Sequence, residues 1–317
     1  MGRSRRVSKS YVFAGTTIGV AAGLLLGTYF LGPASENRLH TGQEASSSSP
    51  AKKDGDKGAA PDPAVQAQAD AADEFIAQHA DAMVKDQLTD RPVMLLHTAD
   101  ADQADVDEVA KLLKAAGAKE AGRITLLDKF VKPEGGDELK SIVANVLPEG
   151  AQLSEEKRDP GTHAGQAMAP ALLLHKDSGK PQTNDADRAL VLKSLREAKF
   201  IDYKDGTVVP AQLAVIVTGD GTTLSDPGYH GAAIAAFATA LDDLGNGVVV
   251  AGRFASASES GAVGKIRNDE QARKHVSTVD DVDTAAGRVA TVQAAAEQLK
   301  NKATAFGAAD NADKPAQ

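Results

Sequence analysis

Leu213-Ala214-Val215-Ile216-Val217-Thr218-Gly219 and, beyond a helical stretch at 229–244, Val248-Val249-Val250-Ala251 are short, unbroken runs of β-branched and small apolar residues. Such runs, with no polar alternation, read as strands buried on both faces, and parallel neighbours need a crossover such as the helix between them. The pattern repeats upstream. Val93-Met94-Leu95-Leu96 reads as a strand, followed by a helix through Val106, Val109, Leu112 and Leu113 that stops at Gly117. Ile124-Thr125-Leu126-Leu127 is the next strand, and 137–147 the next helix, ended by Pro148. Helices near 162–174 and over 185–199 occupy a less regular middle, and downstream 276–279 reads as a strand before a closing helix at 284–300 capped by Asp283. The expected fold class is α/β, with a parallel, Rossmann-like, doubly wound sheet and flanking helices. Two smaller α/β lobes divided near 153–161 are the alternative.

The N-terminal region has a different character. Arg3, Arg5, Arg6 and Lys9 make residues 1–10 basic, and residues 11–32 then carry no charged side chain. About 20 helical residues span a hydrocarbon core, so 11–32 reads as a transmembrane anchor in contact with lipid, with a cytoplasmic N-terminus and everything later outside. A cleaved signal peptide is the competing reading, because Gly32-Pro33-Ala34 ends in small residues. Proline is a poor cleavage context, and the apolar run exceeds a signal core of about 7–15 residues. Gly23 and Gly27 form a small-residue stripe through which such helices would pair into a homo-oligomer.

Residues 33–62, with Ser46-Ser47-Ser48-Ser49-Pro50, read as a disordered linker, 63–306 as the extracytoplasmic domain and 307–317 as a disordered polar tail. Asp62-Pro63 opens an amphipathic helix reaching Leu88, on which positions 72, 76, 79, 83 and 87 sketch a weak heptad seam. Packing of that helix on its own domain is expected ahead of coiled-coil pairing.

Composition excludes several functions. The chain has 317 residues, 42% of them hydrophobic, which is enough for a sizeable core. Aromatic residues make up only 4%, with no tryptophan, so base-stacking and carbohydrate platforms are disfavoured. A net charge of −9 with scattered basic residues argues against nucleic acid as a partner. The absence of cysteine removes disulfides, thiolate metal sites and cysteine nucleophiles.

Gly219-Asp220-Gly221 sits where a phosphate loop would, yet the third glycine and any P-loop lysine are missing, so a plain turn is the reading. The 7 histidines stand far apart in sequence, and Met83, Met94 and Met168 are the internal thioethers. No cofactor is expected from them. Asp280, Asp281 and Asp283 form an acidic cluster without the calcium-loop glycine and distal glutamate, and helix capping explains it more economically than a cation. No nucleophile elbow or HExxH helix appears, so the chain is not expected to be an enzyme.

Val276-Ser277-Thr278-Val279-Asp280-Asp281-Val282, followed by Ala286-Gly287-Arg288-Val289, resembles the C-terminal signature of the actinobacterial MctB proteins, called copper transporters or copper-transport outer-membrane proteins. The strands at 213–219 and 249–252 and the Asp73-Glu74-Phe75 helix add to the resemblance, which covers roughly residues 70–300. It marks Ser277, Thr278, Val279, Asp280, Asp281, Gly287 and Arg288 as signature residues without assigning them a role. It implies a mycolate-type actinobacterium, one N-terminal anchor and an extracytoplasmic α/β domain. The family name implies copper export or tolerance, with copper as the only metal in question. SteB-like members imply septal wall remodelling in cell division, beside a SteA-like membrane protein and a peptidoglycan hydrolase. The family habit of a coiled coil directly after the anchor is replaced here by the linker. One helix cannot form a transport route alone, so an envelope docking protein is the expected function, and copper homeostasis through oligomers or partners is the alternative.

Overall fold

Asp62 caps the first helix, its carboxylate accepting the Ala64 amide, while Pro63 takes the first helical position, where no N–H is needed. The computed structural model describes residues 62–223 and 225–313. The expected basic terminus, the anchor at 11–32 and all but the last residue of the linker lie outside the described residues. Among those described, no helix is long and apolar enough to cross a membrane.

The chain runs α1 (Pro63–Val84), β1 (Pro92–Thr98), α2 (Gln103–Ala115), β2 (Lys119–Leu126), α3 (Gly136–Asn145), α4 (Pro160–Leu172), α5 (Asp185–Glu197) and β3 (Ile201–Tyr203). It continues through β4 (Leu213–Thr218), α6 (Pro227–Leu244), β5 (Val248–Gly252), α7 (Ala262–Asn268), α8 (Ala272–His275), β6 (Ser277–Val279), α9 (Ala285–Gln298) and β7 (Ala305–Phe306). The strands form one 7-stranded sheet in the order β3-β2-β1-β4-β5-β6-β7. Every neighbouring pair is parallel except β2 and β3.

Alternation along each strand sends side chains to two cores. Met94 and Leu96 of β1, with Ala214 and Ile216 of β4, meet α3 to α8 on one face. Val93, Leu95, Leu213 and Val215 meet α1, α2 and α9 on the other. The crossovers therefore alternate in face about β1 and β4, where strand order reverses, and this is the doubly wound arrangement. The described residues, 62–223 and 225–313, form one compact unit.

Three differences from the sequence reading have local causes. α1 ends at Val84 rather than Leu88, because Lys85 leaves the helical region with ψ 133° and Asp86 follows in the left-handed region with φ 62°. As a result Gln87 lies past the helix, and Ile76 packs inward with Ala80 and Val84. The outward stripe of α1 is instead Val65, Gln68, Ala72, Phe75, His79 and Met83, all exposed. The third difference concerns 307–313, expected to fray. Ala308 and Ala309 amides donate to Asp280, and Asn311 accepts from Arg267. Asp313 closes the free edge of β7, its amide donating to the Ala305 carbonyl and its carboxylate accepting the Ala305 amide.

Asp242, in the last turn of α6, carries a measurable consequence. Burial, with Asp243 alongside, pushes its carboxyl up to about 7. An acid held more protonated in the folded state than in the unfolded one contributes stability that is full below pH 3.8 and is lost as pH rises through about 7. Asp242→Asn keeps an oxygen for the Val248 amide and removes the charge. Thermal melts at pH 5 and pH 8 are expected to show the variant gaining on the wild type by about 2–3 kcal/mol between the two, with part of the gain already present at pH 5. Equal destabilisation at both pH values would contradict this.

Candidate functional site

In open α/β sheets, ligands sit at the carboxyl ends of strands where the order reverses, here between β1 and β4. Each strand delivers polar groups to that point: Thr98 at the end of β1 and Asp100 just beyond it, Gly219 and Gly221 after β4. The Gly219 amide donates to Thr98 Oγ1 at 2.9 Å, and the Gly221 amide donates to Asp100 Oδ2 at 3.0 Å. Gly221 has φ 70°, a conformation that favours glycine, and a side chain there would press on the His230 ring. His230, on the first turn of α6 and only 1% exposed, places Nε2 3.3 Å from Asp100 Oδ1.

Burial opposes ionisation of Asp100, but His230, Thr98 and the Gly221 amide together outweigh it and hold the carboxyl down at about 2. An ionised carboxylate therefore occupies the place that a nucleotide phosphate takes in related folds. Its charge repels such a ligand, and the glycine turn serves the protein's own Asp100. Sequence reasoning recognised the turn but missed Asp100 and His230. The only local signal for Asp100 was the polar run directly following the first strand, and His230 carried none.

The signature residues gather along β6 and the start of α9. Ser277 is buried, and its Oγ accepts from Gln298 Nε2 at 2.9 Å and from the Thr304 amide at 3.2 Å. Val279 fills the α1/α2/α9 core. Thr278 Oγ1 accepts Arg267 Nε at 2.9 Å, and Asp280 Oδ2 meets Arg267 at 2.6 Å, with both charged side chains 2% exposed or less. The remaining Arg267 donors reach the Phe306 carbonyl at 2.7 Å and Asn311 Oδ1 at 2.8 Å. Arg267 was missed from sequence, although it shares a helical face with the buried Val263 and Ile266 and so had to point inward.

Asp281 and Gly287 form the other half of the signature. A side chain at Gly287 would begin 2.0 Å from the Asp281 carbonyl oxygen, so only glycine lets α9 approach that turn. Asp283 does not cap α9, contrary to the sequence expectation. Thr284 does, its Oγ1 accepting the Gly287 amide at 2.9 Å, while Asp73 of α1 accepts the Ala285 amide at 2.7 Å. Extended backbone at Thr284 puts the cap one residue later than the aspartate pattern implied. Arg288 donates to the carbonyls of Val282 at 3.0 Å and Asp283 at 2.7 Å and approaches Asp105 at 3.4 Å. Asp105 also pairs with Arg253 at 2.7 Å, linking the segment after β5 to α2.

The signature block is thus a structural clamp. Among the described residues no group of three or more His, Asp or Glu side chains is placed to hold a metal ion. Met94 and Met168 are fully buried among hydrocarbon side chains. The imidazoles of His79, His97 and His163 bond to protein oxygens, at Phe75, at Thr98 and Thr125, and at Ser154.

A family model described as "Copper transport outer membrane protein, MctB" matches residues 11–316. The protein called Copper transporter MctB from Mycobacterium tuberculosis (strain ATCC 25618 / H37Rv) is 35% identical over 225 residues, covering 71% of this chain and 72% of the relative. The protein of the same name from Mycobacterium leprae (strain TN) is 35% identical over 215 residues, covering 66% and 68% respectively.

Proposed function

The chain belongs to the MctB family of copper transport outer membrane proteins, and on that premise we propose that it is a non-enzymatic envelope protein that serves copper homeostasis by binding protein partners. In this reading residues 11–32 anchor it in the cell membrane, with the N-terminus cytoplasmic and the α/β domain outside. The observation that carries the reading is the outer face of α1, where Val65 is 60%, Phe75 53% and Met83 40% exposed on one stripe of a helix that opens the domain. The domain itself supports contact rather than conduction. Its sheet is open and covered by helices on both faces, with hydrocarbon where a conduit would need a polar lumen.

Septal wall remodelling is the second reading, with a SteA-like membrane protein and a peptidoglycan hydrolase as partners, and the same exposed helix face favours it. Deletion of the gene separates the two. Copper sensitivity with normal septation is expected on the first reading; chained cells indifferent to copper would overturn it in favour of the second. Complementation with Phe75→Asp tests docking itself. An exposed substitution of this kind changes stability by about 0.5 kcal/mol or less, so the protein is expected to accumulate normally and fail to restore the phenotype. Full restoration would remove the case for α1 as the docking face.

A further inference from the structure

Among the described residues, His230 Nδ1, Ser256 Oγ and Asp281 Oδ1 are buried polar atoms without a hydrogen-bond partner, and each lies on the segment following a parallel strand, β4, β5 or β6. Asp281 is the one whose surroundings reach another element of functional interest. We propose that Asp281 couples ambient acidity to the grip of the body on α1, so that the helix is held firmly in acid and loosened near neutrality.

The coupling is a short mechanical chain. The Asp281 carbonyl accepts both the amide and the hydroxyl of Thr284, each at 2.9 Å. Thr284 Oγ1 in turn accepts the Gly287 amide, and Gly287 is pressed against that same carbonyl. The next amide, Ala285, is held by Asp73 of α1. From Asp62 to Ala72 every residue of α1 is exposed, so Asp73 is the outermost tie between that helix and the body. Displacing Asp281 therefore moves the N-terminus of α9 and the group that Asp73 holds.

Asp281 has reason to move when charged. Asp280 and Asp283 flank it in the same turn, and Asp73 faces that turn from α1. Arg267 of α7 is engaged by Asp280, and Arg288 of α9 is engaged by the carbonyls of Val282 and Asp283 and by Asp105. Arg267 and the residue's own amide draw the Asp281 carboxyl down only in part, and Oδ1 keeps no hydrogen-bond partner. Burial first, then Asp280 and Asp283, push its carboxyl up to about 6. The acid form tolerates burial, whereas the ionised form favours any arrangement that gives Oδ1 access to water. With a carboxyl at 3.8 once released and about 6 in place, the opening equilibrium rises about tenfold between pH 5 and pH 7.

Amide hydrogen exchange on the full-length protein, corrected for the intrinsic pH dependence of exchange, tests this. Protection of α1 around Asp73 and of the first turn of α9 is expected to fall about tenfold from pH 5 to pH 7. Asp281→Asn is expected to abolish that difference, while Asp242→Asn, which removes the other carboxyl held up in this window, leaves it in place. Asp73→Ala provides a check independent of the folding of the Asp281 variant: α1 loses protection at both pH values, and the first turn of α9 keeps its pH dependence. A wild-type protein without the difference, an Asp281→Asn variant that retains it, or an Asp73→Ala variant whose α1 still responds to pH would each overturn the proposal.

Discussion

Replacing Asp280 by alanine is expected to cost about 3–5 kcal/mol, because it leaves the Arg267 guanidinium buried without its counter-charge. Both side chains are nearly inaccessible, so water cannot replace the lost partner. The carboxylate also receives the Ala308 and Ala309 amides, and the variant therefore releases the segment that closes the edge of β7. A domain of this size has about 5–15 kcal/mol in total. Urea denaturation should show a large fall in midpoint, and limited proteolysis should cut first near the C-terminus. Replacing both partners by apolar residues of matched volume is expected to recover much of the loss, since the isolated charge is the main penalty. A change below about 1 kcal/mol for the single substitution would contradict the clamp.

Asp100→Ala is expected to cost on the order of 3 kcal/mol, because several buried groups lose one acceptor together: the Gly221 amide, the Thr98 hydroxyl and His230 Nε2. The effect has a pH signature. A carboxyl held down at about 2 contributes stability that is present above its ordinary value of 3.8 and is lost as pH falls through about 2. The difference between wild type and variant should therefore be constant from pH 5 to pH 7 and shrink below pH 4. If Asp100 were instead reserved for a ligand, its removal would leave stability unchanged.

The sheet was legible where strands are continuous apolar runs. β1, β4 and β5 are buried on both faces, and burial leaves no room for polar residues that would blur the reading. β3 and β7 were not legible. Each is an edge strand of two or three residues, too short to establish a period, and its pairing is set by tertiary contact. β2 begins at Lys119 rather than Ile124 because Lys119 and Glu120 are polar and exposed and Ala121-Gly122 offers little apolar signal, so that its start is held by register with β1.

The signature block was recognisable as a block, but its role was not. Arg267 and Asp280 meet because α7 packs beside β6, and nothing local announces which arginine a buried aspartate will find. Asp73 capping α9 is the same kind of contact across a still longer separation in sequence. Gly287 illustrates the reverse case. A glycine at a helix start reads as a weak cap, whereas here the decisive fact is the carbonyl lying against it.

Copper retention by the purified full-length protein bears most directly on the claim that this domain works through contacts. After anaerobic equilibration with Cu(I) under reducing conditions and gel filtration, metal analysis is predicted to find no stoichiometric copper on the protein, while chemical crosslinking in intact cells captures an envelope partner through α1. One copper ion retained per chain, lost on substitution of histidines or methionines of the described domain, would contradict it.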